Sequence, residues 1–156
     1  MPEALAANAR VTTSRRLVAQ TTVIGALGAE GIVATHLLDG SMRKPEFIRY
    51  LEDLLPKLRD SGRTLVMDNL RIHHAEEVKL LAEKHAVELL FVPPYTPELN
   101  PIEHAWSKLK SFLRRSRARL ADTLVEAVRK GLARITNQDA RGWIQHAGYH
   151  LSTGST

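Results

Sequence analysis

The stretch from Thr64 to Arg115 constrains the fold of this chain more than any other part of it. A continuous apolar run, Thr64-Leu65-Val66-Met67, stops at Asp68-Asn69. A second run, Val87 to Val92, breaks into Pro93-Pro94-Tyr95-Thr96-Pro97-Glu98-Leu99-Asn100-Pro101-Ile102, and a helix opens with Glu103. Short apolar runs bounded by turn residues read as buried strands. The pattern sets one acid at the carboxyl end of a strand and another in the first turn of a helix. It suggests two carboxylates converging on a divalent metal.

The remaining elements follow from periodicity. Arg16 to Leu27 and Ile32 to Leu38 are rich in β-branched residues and flank Gly28-Ala29-Glu30-Gly31, which predicts a hairpin. Between Pro45 and Arg59, Phe47, Leu51, Leu54, Leu55 and Leu58 share one helical face. His74 to His85 reads as a helix with Val78, Leu81 and Ala82 facing inward. Asn100 suits an N-cap and Pro101 a first helical position. The helix that follows buries Ile102, Ala105, Trp106, Leu109, Phe112 and Leu113. A last helical region covers Leu120 to Ile135, and the segment from Asn137 onward is ambiguous. A hairpin followed by alternating helices and strands gives an α/β fold, a mixed sheet with helices on its faces. Residues 1–16 are small, polar and basic and are expected to be poorly ordered, which leaves one domain over residues 17–150.

Composition excludes several classes of function. No apolar stretch is long enough to span a membrane. Glu3 sits where a signal peptide carries positive charge. The chain has no cysteine, which removes disulfides and cysteine-bound zinc and fits a cytoplasmic setting. His73-His74 lacks the helical spacing of a zinc site, and no elbow motif supports a serine nucleophile. The net charge is +5. Lys108, Lys110, Arg114, Arg115, Arg117 and Arg119 crowd one short segment, the footprint of a phosphate-binding surface or of a solvated helix face.

Read singly, neither acid is decisive. Asp68 could cap a turn, and Glu103 could serve the helix dipole, an effect of about 0.3–1 kcal/mol. Together they carry more weight. The loop between them holds four prolines in nine residues, Pro93 to Pro101. Proline fixes φ and lowers the entropy of the unfolded loop. Such a loop delivers Glu103 rigidly to the carboxyl edge of the sheet, where two hard oxygen ligands suit Mg²⁺ or Mn²⁺.

These residues carry a resemblance. Val66-Met67-Asp68-Asn69, His73, the run from Pro93 to Glu103, Trp106 and Lys108-Leu109-Lys110 resemble the catalytic core of DDE transposases, in particular mariner-type elements and bacterial insertion-sequence relatives. The resemblance covers roughly residues 17–150. It implies an RNase H-like fold and metal-dependent cleavage and joining of DNA. In that frame Asp68 matches the second catalytic acid and Glu103 the third, with 34 residues between them as in many members. Asn69 and His73 match neighbours that shape the site. Ser107, Lys110 and Arg114 share the helical face of Glu103. Lys108, Lys110, Arg114 and Arg115 would meet DNA, both transposon ends and target. The setting it implies is the bacterial cytoplasm, close to the nucleoid.

One departure matters. The family's first acid stands on the first, central strand, and no Asp precedes Asp39 here. The chain therefore reads as lacking that strand, as a truncated transposase core. It could pair with itself or with a fragment from an upstream reading frame. The competing reading is a catalytically silent remnant that binds DNA or a full-length partner. A third, an RNase H-like RNA nuclease or resolvase, shares the metal chemistry and is disfavoured by the proline-rich loop.

Overall fold

The computed structural model describes residues 4–10, 21–117 and 121–151. Five strands form one mixed sheet: β1 (Ala4–Arg10), β2 (Thr21–Gly28), β3 (Gly31–Asp39), β4 (Thr64–Met67) and β5 (Glu88–Phe91). Their order is β3-β2-β1-β4-β5. The hairpin β2–β3 and the pair β1–β2 are antiparallel, whereas β1–β4 and β4–β5 are parallel. The five helices are α1 (Lys44–Leu58), α2 (Glu76–Lys84), α3 (Ile102–Ser116), α4 (Ala121–Ala133) and α5 (Asn137–His146).

Strand alternation divides the core into two layers. Ile24 and Ala26 of β2, with Leu65 and Met67 of β4, pack against Phe47, Leu51, Leu54, Leu55 and Leu58 of α1 and Val78 of α2. Val23, Leu27 and Val66 point the other way, onto Ile102, Trp106, Leu109 and Leu113 of α3, with α4 and α5 behind. Gly25 makes the second layer possible. A Cβ there would meet Cη2 of Trp106 at 2.8 Å, so the benzo edge of the indole approaches β2 this closely because that side chain is absent.

Two sequence expectations need correction, on the central strand and on the helix after His74. The central strand is present: β1 occupies the position expected to be vacant, and Ala4–Arg10, within the segment expected to be poorly ordered, supplies it. The physical reason is that β2 and β4 would otherwise leave rows of unpaired N–H and C=O groups, which an extended backbone satisfies whatever its side chains. The first residues of the strand expected from Arg16, residues 16–20, lie outside the described residues, and the described strand runs Thr21–Gly28. The helix expected over His74–His85 divides into a 3₁₀ turn, Arg71–His74, and α2, because Ala75 is extended (φ −60°, ψ 144°). The ambiguous region after Asn137 forms α5, opened by a capping box in which Thr136 and Asp139 satisfy each other's backbone N–H groups. Among the described residues, no helix is long and apolar enough to cross a membrane.

Candidate active site

Asp68 follows the last residue of β4. Its Oδ1 accepts a hydrogen bond from the Leu70 backbone N–H at 3.4 Å, an Asx-type turn, and lies 2.8 Å from Nδ1 of His73. The same Nδ1 lies 3.0 Å from the Asp68 carbonyl oxygen. Two acceptors flank that nitrogen, so it carries the proton and donates. His73 is fully buried and tilts against the Phe47 ring at 4.7 Å. The imidazole thus anchors the carboxylate to the α1 layer. Oδ2 of Asp68 accepts no hydrogen bond among the described residues, and the side chain stays partly open to solvent.

Glu103 approaches from the opposite side of the same edge. The Val92 N–H donates to the Met67 carbonyl at 2.9 Å, extending the β4–β5 pairing by one residue. The proline-rich loop therefore leaves the sheet at the level of Asp68. It passes through a 3₁₀ turn at Pro97–Leu99 and enters α3, with the Glu103 N–H bonded to the Asn100 carbonyl at 3.1 Å. The cap of α3 is Pro101, not the expected Asn100, because the helix begins at Ile102. The Asn100 side-chain amide is buried and has no hydrogen-bond partner among the described residues, and neither has the indole Nε1 of Trp106.

Burial pushes the Glu103 carboxyl above the usual carboxylate range. The negative charge of Asp68 raises it further, and Lys110 pulls it back. The charge of Asp68 therefore reaches Glu103 at the sheet edge, and Lys110 lies close enough to oppose it. Like charges held together and partly desolvated favour a bound cation. Two hard carboxylate oxygens, one of them free of hydrogen bonds, suit a divalent ion such as Mg²⁺ or Mn²⁺. The donor set is short. Among the described residues no group of three or more His, Cys, Asp and Glu side chains is placed to hold a metal.

The other site residues separate into two groups. Ser107, Lys110 and Arg114 are exposed and share the Glu103 side of α3, and Arg115 is exposed at the helix end on a neighbouring face. Lys108 instead pairs with Asp139 of α5 at 2.5 Å, so this cation is engaged within the fold. Asn69 bonds to Nε2 of His74, whose ring stacks on Phe91 at 4.1 Å. The structure also adds a brace that the sequence reading missed: the Tyr149 hydroxyl donates to the Leu99 carbonyl at 2.7 Å, and Trp143 stacks on His104 at 5.9 Å. Helix α5 and the turn after it thereby clamp both the loop and the first turn of α3. The Thr136-to-Asp139 capping box was the signal available for that helix.

The register of β1 completes the geometry. Ala4, Leu5 and Ala6 pair with Thr64, Leu65 and Val66. Beyond Ala6 the strand is irregular, with a register shift against β2 between Ala7 and Ala9. No residue of the central strand, Ala4–Arg10, is an acid.

Residues 6–125 match the family model described as DDE superfamily endonuclease. No curated protein matches the sequence. Among solved structures, the fold is similar to the Mos1 transposase catalytic domain determined with Raltegravir and Mn, at 16% identity over 95% of this chain and 84% of that one, with a TM-score of 0.76. It is similar to the Mos1 strand transfer complex at 14% identity over 95% of this chain and 55% of that one, TM-score 0.67. The catalytic core domain of BIV integrase aligns at 13% identity over 94% of this chain and 98% of that one, TM-score 0.61. The sheet is thus that of the RNase H-like integrase and transposase cores.

Proposed function

The chain belongs to the DDE superfamily endonucleases, and from that premise we propose that it is the catalytic core of a DNA transposase, acting on transposon ends and target DNA with Mg²⁺ or Mn²⁺. What supports this reading is the arrangement at one sheet edge: Asp68 ends β4, the proline-rich loop to Glu103 leaves beside it, and the Asp68 charge raises the Glu103 pKa. Asp68 would offer Oδ2, its orientation set by His73. Glu103 would offer a carboxylate that burial makes reluctant to ionise without a cation nearby. When bound, a divalent ion supplies Lewis acidity to the scissile phosphodiester and lowers the pKa of an attacking water or 3′-hydroxyl. Lys110, Arg114 and Arg115 would hold the DNA phosphates, and Ser107 would line their path. Lys108 contributes through its bridge to α5, not as a free phosphate ligand.

A second reading has its own support. The central strand β1, parallel to β4, carries no acid over Ala4–Arg10 that could act as a third ligand. A central strand without a carboxylate favours a catalytically silent protein that keeps the DNA surface, alone, as a homodimer, or with a fuller copy of the enzyme. Nicking of supercoiled plasmid by the full chain in Mn²⁺, beside Asp68→Ala and Glu103→Ala, tests both. Nicking that disappears in either variant supports the catalytic reading. Nicking that survives both removes the two acids from it. Tight DNA binding without nicking selects the silent form.

A further inference from the structure

We propose that Tyr95 is a stacking residue for an unpaired DNA base beside the acids. The inference rests on the DNA reading above and extends it to a position that reading does not use. Tyr95 is 100% exposed, the most exposed of the large apolar side chains. It also has φ +61°, in the left-handed region. Pro94 fills the second place of the Pro93–Thr96 turn, which its fixed φ suits. Tyr95 fills the third, where turns with positive φ take Gly or Asn. The Thr96 hydroxyl closes the turn on the Pro93 carbonyl. An aromatic residue there burdens the backbone and contributes no buried area to the fold. A strained residue that the surroundings hold in place points outward, to something the side chain meets.

The position tells what it meets. The turn stands where the chain leaves β5 at the level of Asp68, and the same loop ends in Glu103. The exposed cations Lys110 and Arg114 lie along the helix that follows. Phosphates drawn to those cations bring bases within reach of the ring. A base inside a duplex hides its π-face, whereas an unpaired one at a cut or frayed end exposes it. The proline-rich frame holds the ring in place before the DNA arrives, which reduces the ordering cost of the contact.

The test uses the full chain with two labelled DNAs, a blunt duplex and one with a short single-stranded overhang carrying 2-aminopurine. The unaltered chain should bind the overhang DNA more tightly and quench the probe. Tyr95→Gly should keep or raise Tm, since glycine relieves the positive φ. It should weaken overhang binding about fivefold to a hundredfold and abolish the quenching, leaving blunt-duplex binding nearly unchanged. Tyr95→Phe should behave like the parent, because stacking needs the ring and not the hydroxyl. Equal losses on both DNAs, or unchanged quenching in Tyr95→Gly, would overturn the stacking assignment while leaving the DNA reading intact. A fall in Tm would show that the ring supports the fold, against the inference. No binding of either DNA by the unaltered chain would overturn the DNA reading, and this inference with it.

Discussion

Strands β1 and β4 lie side by side, parallel, at the centre of the sheet, yet they relate to the site in opposite ways. β4 ends in an acid that a buried histidine holds in place. β1 supplies backbone to both neighbours and no acid anywhere along Ala4–Arg10. The contrast separates two demands on a central strand. The sheet needs N–H and C=O groups, which any extended segment provides. A metal site needs a carboxylate at one position, and no quality of pairing substitutes for it.

The largest effect tests the structural half of this contrast. Ala6 pairs with Leu27 on one side and Val66 on the other. Ala6→Pro removes a donor from the middle of the sheet and should cost about 3 kcal/mol or more. Chemical denaturation measures it, and a loss of only a few tenths would mean that β1 is not an integral strand. The next tests the chemical half. Asn8→Asp puts an acid on the central strand, so Mn²⁺-dependent nicking should rise by about tenfold or more, roughly 1.4 kcal/mol of barrier. Adding Asp68→Ala should cancel the gain. No gain in Asn8→Asp would show that an acid at this position cannot serve the ion.

The smallest effect concerns Glu103. Its folded pKa lies above the ordinary glutamate value, chiefly through burial and then through Asp68. The sign follows from linkage. Folding favours the protonated form, so this contribution is fully present below the ordinary glutamate pKa and is lost as pH rises through the folded one. Glu103→Gln removes that dependence. A Tm series from acid to neutral pH should fall less steeply for the variant than for the parent. Adding Mn²⁺ at neutral pH should raise the parent's Tm and leave the variant's unmoved. Parallel curves would mean that Glu103 carries no such load.

Much of this architecture was legible beforehand. β4 and β5 announced themselves as apolar runs, and α1 and α3 by the spacing of Phe47 to Leu58 and of Ile102 to Leu113. The acids were legible because chain punctuation marks their places, a strand end for Asp68 and a helix start for Glu103. β1 was not, since Ala4-Leu5-Ala6-Ala7 carries none of the β-branched or aromatic residues that signal a strand. Its place is set by its neighbours' unpaired backbone, a nonlocal cause. The ion pair of Lys108 was hidden for a related reason. Its helical position is visible in one dimension, but Asp139, which engages it, arrives from a later helix. The left-handed Tyr95 was hidden too, because nothing but the closing of the turn imposes that φ.

The bond between Tyr149 and Leu99 reaches across 50 residues of chain. During translation the proline-rich loop leaves the ribosome well ahead of the tyrosine that steadies it. Glu103 is therefore seated late, once α5 has docked, and a nascent chain stalled before Tyr149 carries an unbraced acid. The order of synthesis thus delays assembly of the site until nearly all of the described chain has emerged.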